Sequence, residues 1–103
     1  METKRLGPTD LHITCIGFGA WAIGGPNWKY GWGHQDDDKS IRALHEAIDL
    51  GTNWVDTAPV YGHGHSEQVV GEALAQLPGN RRPMVFTKCG HPWDDKGELD
   101  YSL

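Results

Sequence analysis

The stretch GTNWVDTAPVYGHGHSEQVVGEAL, Gly51 to Leu74, decides how the rest of the chain is read. It passes from a glycine into a short apolar run, NWVDT, that ends on a carboxylate. A tyrosine follows five residues later, and then a glycine-histidine loop opens into Ser66 and an apolar pattern at helical spacing: Val69, Val70, Ala73, Leu74 and Leu77. That order predicts a strand, a loop and a helix capped by Ser66 and closed at Pro78-Gly79.

Upstream, Asp36 to Leu50 starts with three aspartates, which suit free N–H groups and the positive end of a helix dipole. Ile41, Leu44 and Ile48 then recur at spacings of three and four beside Ala47, and Gly51 is the expected stop. CIGFGAW reads as a buried strand from Cys15 to about Ala20, followed by a loop from Gly24 to Gly33. PMVFTKCG reads as a third strand. The opening TKRLGPTDLHIT reads as a hairpin turning at Gly7-Pro8-Thr9-Asp10. The fold class expected is therefore α/β: an N-terminal β-hairpin (residues 1–14), then β-α-β-α-β (15–90) with parallel strands and right-handed crossovers, then a polar loop or tail (91–103), all in a single domain.

The bulk numbers bound the function. A chain of 103 residues with net charge -5 and nine scattered basic residues offers no electrostatic footprint for nucleic acid or an anionic membrane. It has no apolar stretch long enough to span a bilayer and no secretory segment in METKRLGPTD, so a cytoplasmic location is expected. Cys15 and Cys89 are expected to be free thiols, because they fall on strands that are not neighbours.

Strand alternation places Trp54 and Asp56 on one face of the second strand and Met84, Phe86 and Lys88 on one face of the third. Asp56 and Lys88 then end adjacent strands on the same side, within reach of an ion pair, with Tyr61 in the loop above. A tyrosine hydroxyl beside an ammonium gives up its proton more readily, which suits it to protonating an alkoxide. The plainer readings are an ordinary ion pair and a loop aromatic packed on a helix start. GFGAWA, Gly17 to Ala22, fits a dinucleotide fingerprint, but Gly24-Gly25-Pro26 prevents the immediate helix such a site needs. His63, His65 and His91 lie in loops at one end of the sheet, where solvated imidazoles are a better reading than a metal site, and no metal is expected.

RLGPTDLHIT, IGFGAWAIGG, the long stretch quoted above and FTKCG together resemble the N-terminal part of the aldo-keto reductase family, TIM-barrel enzymes that move a hydride between NADPH and a carbonyl. The resemblance implies catalytic positions at Asp56, Tyr61 and Lys88, with Tyr61 as general acid, Lys88 easing loss of its proton and Asp56 holding Lys88. It implies cofactor contacts at Gly19, Ala20, Trp21 and Asp56, NADPH as cofactor, and a small carbonyl compound as substrate. The family's fourth catalytic residue, a histidine on the next strand, and its later cofactor clamps find no counterpart. An eight-stranded barrel needs about 250 residues. The expectation is a partial TIM barrel, weakly active or inactive alone. Its open sheet face, carrying Phe18, Trp54, Met84 and Phe86, is expected to be covered by self-association or segment exchange between copies. The alternative is a non-catalytic oligomeric module derived from a reductase fragment.

Overall fold

The computed structural model describes residues 1–100. An antiparallel hairpin, β1 (Thr3–Arg5) and β2 (His12–Thr14), is followed by β3 (Phe18–Gly19), a 3-10 turn (Ala22–Gly24), α1 (Asp37–Asp49), β4 (Trp54–Asp56), α2 (His65–Ala75), a second 3-10 turn (Gly79–Arg81) and β5 (Met84–Phe86). The last three strands form one parallel sheet in chain order, β3-β4-β5.

The capping aspartates act as their position suggests. Asp36 accepts from the backbone N–H groups of Asp38 and Lys39 at 3.0 and 3.3 Å, and Asp37 and Asp38 occupy the first turn. Gly51, at φ 105°, takes the left-handed conformation that ends α1.

The core lies between the sheet and the two helices. Leu44, Val55, Val69 and Ala73 are essentially inaccessible, and Ala20, Ile23, Ile41 and Val70 complete the cluster. Register corrects one expectation about faces. Phe18 aligns with Val55, and Val55 with Val85, so Phe18 shares the helix-side face and packs against this core. The other face carries Gly19 and Asp56 in register, and Trp54, Met84 and Phe86, all three half-buried.

The hairpin accounts for part of that shelter. Asn53 accepts from the Thr14 N–H (3.0 Å) and donates to the His12 carbonyl (2.8 Å), and the Trp54 indole donates to the Thr14 carbonyl at 2.9 Å. A Cβ on Gly17 would overlap the Trp54 ring at 2.2 Å, so glycine there is what lets the indole lie across β3.

The sequence suggested a longer first strand and a third strand reaching Lys88. Observed β3 is two residues and β5 stops at Phe86, because the chain leaves the sheet to place side chains at its carboxyl ends. The segment from His91 onward, expected to be a polar loop or tail, is a loop with a turn at Asp95-Lys96 as far as it is described. Asp94 accepts from the N–H groups of Lys96 and Glu98, Trp93 bridges to Leu99, and the Trp93 ring lies edge-on to His63 at 5.1 Å between centroids. Residues 101–103 of that expected tail lie outside the described residues. Both cysteines are exposed free thiols, and among the described residues no helix is long and apolar enough to cross a membrane.

Candidate active site

Asp56 ends β4, and Lys88 lies two residues beyond β5, reaching back over the sheet's carboxyl end. Its ammonium donates to both Asp56 oxygens, at 2.8 and 2.9 Å, and to the Thr57 carbonyl at 2.9 Å. The same nitrogen stands 5.1 Å from the centre of the Tyr61 ring. The structure therefore brings Asp56, Tyr61 and Lys88 together, although Lys88 gets there from a loop. Burial pulls the Lys88 ammonium toward deprotonation, but bonding and charge attraction from Asp56 and Tyr61 outweigh it, and its pKa rises above the ordinary lysine value of 10.5. Both partners of the ion pair remain partly open to water, at 46% and 40% of their side-chain surface.

Tyr61 is 8% exposed, and its surroundings were not legible from spacing. The chain on both sides of the first 3-10 turn folds over it, so that Trp21 before the turn and Trp28 after it lie against its ring at 5.2 and 5.7 Å, with Tyr30 behind them. The Trp21 indole donates to the Tyr30 carbonyl at 2.8 Å, which holds the loop closed. Only the density of aromatics between Trp21 and Trp32 hinted at this cage.

Of the residues expected to meet a cofactor, Gly19 carries open space where a Cβ would stand, next to Asp56 in register. Ala20 is fully buried and donates its N–H to the Asp56 carbonyl at 2.9 Å. Trp21 is 39% exposed. The bare backbone at Gly19 beside an exposed indole fits the flat face of a nicotinamide ring.

Ser66 corrects the sequence reading. It is the second residue of α2 and caps nothing. It is completely buried, donates to the Ala20 carbonyl at 2.8 Å and lies 2.9 Å from the Thr57 hydroxyl; Gly64, in the left-handed region, takes the cap position. A cavity of about 330 Å³ opens beside Lys88, lined by Ala58, Pro59, Val60, Cys89, Gly90, His91 and Pro92. Of the histidines expected in loops, His65 instead opens α2 and bonds Asp37 at 2.8 Å, and His63 packs on Trp93. Among the described residues no group of three or more His, Cys, Asp or Glu side chains is arranged to hold a metal.

The chain that carries this cluster has counterparts among known proteins. The sequence profile of the Aldo/keto reductase family matches residues 15–102. The chain belongs to the aldo-keto reductase family. The NADH-specific methylglyoxal reductase of Escherichia coli strain K12 is 45% identical over 100 residues, which cover 96% of this chain and 29% of that protein. The aldo-keto reductase YhdN of Bacillus subtilis is 37% identical over 93 residues, 90% of this chain and 27% of its own length. Among solved structures, the glycerol dehydrogenase of Gluconobacter oxydans superposes with a TM-score of 0.73 at 44% identity, covering 95% of this chain and 29% of that one. This aldo-keto reductase chain thus spans less than a third of the length of each of these three relatives. Its α/β fold corresponds to part of their barrel.

Proposed function

We propose that the site reduces a small carbonyl compound, with Tyr61 as proton donor, Lys88 as the charge beside it and Asp56 as the anchor of Lys88. The observation that carries this reading is the Lys88 ammonium, held at 2.8 and 2.9 Å by Asp56 while lying against the Tyr61 ring.

A reduced nicotinamide dinucleotide, when bound, supplies the hydride to the carbonyl carbon. Tyr61 gives its hydroxyl proton to the carbonyl oxygen, so that an alcohol leaves and the phenolate is balanced by Lys88 until solvent returns the proton. Asp56 keeps the ammonium on that side of the sheet. Gly19 and Trp21 form the surface for the nicotinamide, with Ala20 buried behind them, and the cavity beside Lys88 takes the substrate's apolar part. The cofactor we propose is NADPH; the 45% identical Escherichia coli relative is named as NADH-specific, so both dinucleotides belong in the test.

The test is a titration of tryptophan fluorescence with NADPH and NADH, then cofactor consumption with an aromatic aldehyde. Saturable quenching and a Tyr61→Phe variant slower by about a hundredfold or more support the reading. Equal rates in the two proteins would remove Tyr61 from the mechanism.

A second reading, a non-catalytic module that associates with copies of itself, is favoured by the apolar surface left at the sheet's edges. Val85 is 42% and Ile16 62% exposed. Light scattering decides it, a monodisperse monomer counting against association.

A further inference from the structure

We propose that Thr57 and Ser66 are positioning residues for the Lys88 ammonium, an inference that rests on the catalytic reading above. Lys88 has three hydrogen-bond acceptors, and one of them is not a carboxylate: the Thr57 carbonyl at 2.9 Å. A backbone carbonyl serves an ammonium only if its peptide is turned correctly. Two bonds from the same residue fix that turn. The Thr57 N–H donates to the Phe86 carbonyl at 2.8 Å, and the Thr57 hydroxyl meets the Ser66 hydroxyl at 2.9 Å.

The direction of the hydroxyl pair follows from its far end. Ser66 spends its only proton on the Ala20 carbonyl, 2.8 Å away, which can only accept. Thr57 is therefore the donor to Ser66. The polarised chain runs Thr57 hydroxyl, Ser66 hydroxyl, Ala20 carbonyl, and the Ala20 N–H returns to the Asp56 carbonyl at 2.9 Å. Both hydroxyls are buried, at 1% and 0% exposure, so water does not compete for them. The loop joins the first turn of α2, the ends of β3 and β4 and the ammonium's third acceptor. Asp56 supplies charge to Lys88, and Thr57 with Ser66 supplies direction.

The readout is the titration midpoint of Lys88, followed by carbon-13 NMR of the lysine ε-carbon in the full chain, with Lys88→Met to assign the signal. Thr57→Val keeps the shape and removes the donor, and it is expected to lower the midpoint. Thr57→Ser restores the hydroxyl and is expected to return the midpoint to wild type. The double variant Thr57→Val with Ser66→Ala is expected to shift it no further than Thr57→Val alone, because Ser66 reaches the ammonium only through the Thr57 hydroxyl. An unshifted midpoint in folded Thr57→Val overturns the proposal, as does a Thr57→Ser shift equal to that of valine. If Thr57→Val does not fold, Ser66→Ala reads the same bond from its other side. Failure of both to fold where Thr57→Ser folds assigns the pair to stability and also overturns it. The titration needs neither cofactor nor turnover, so a chain that binds no dinucleotide yet shows the Thr57→Val shift fails only the catalytic reading.

Discussion

Gly24 and Gly62 meet backbone to backbone: a Cβ on Gly62 would stand 1.9 Å from the Gly24 carbonyl oxygen, and Gly62 itself is at φ 69°. This approach seats the first 3-10 turn on the loop that carries Tyr61. Gly62→Ala is expected to cost about 2–4 kcal/mol, combining left-handed strain with a collision between main chains that no side-chain rotation relieves. Gly64→Ala is the control. Gly64 is also left-handed, at φ 94°, but has nothing within 4 Å, so its loss should be limited to about 1 kcal/mol. Urea unfolding of the two variants measures the difference, and equal midpoints would deny the close approach any weight.

Lys88 should make stability depend on alkaline pH. Its folded pKa lies above the unfolded value, so the stabilisation is fully present below about pH 10.5 and is lost as pH rises through the higher folded value. Because both partners are partly exposed, the effect should stay under about 1 kcal/mol. The stability gap between wild type and Lys88→Met, taken from urea midpoints, should shrink as pH rises above about 10.5. A constant gap contradicts the assignment.

Leu44 is 1% exposed at the centre of the helix-sheet core. Leu44→Ala should cost about 2–5 kcal/mol, a large share of what a chain of this size holds, and circular dichroism at ambient temperature should show lost helix.

Trp93 ties the final described segment to His63. Trp93→Ala should release it while leaving the sheet intact. Limited trypsin digestion should then cut after Lys96 several times faster than in wild type, with helix content unchanged; an unaltered rate would show that the turn around Asp94 holds the segment unaided.

Element order was legible because each segment declared itself locally: three aspartates and a 3-4 stripe for α1, NWVD for β4, a glycine-rich turn for the hairpin. The Asp56, Tyr61 and Lys88 grouping was legible because strand alternation puts the first and last on one side. Phe18 was misplaced because its face depends on the register with Val55, which no local pattern carries. Ser66 was misread because a serine at a helix start is ordinarily a cap; here Gly64 takes the cap position, and the hydroxyl serves partners 9 and 46 residues away. The aromatic density between Trp21 and Trp32 was legible, but the cage was not, because it is formed by the chain folding back, a matter of tertiary packing rather than periodicity.

The sheet is laid down in the order in which the polypeptide is made, β3, β4, β5, and its ion pair joins residues only 32 positions apart, Asp56 and Lys88. Nothing in this unit waits for a distant partner to thread between its strands. A nascent chain emerging from the ribosome can therefore bring Asp56, Tyr61 and Lys88 together as soon as β5 and the residues just after it have emerged.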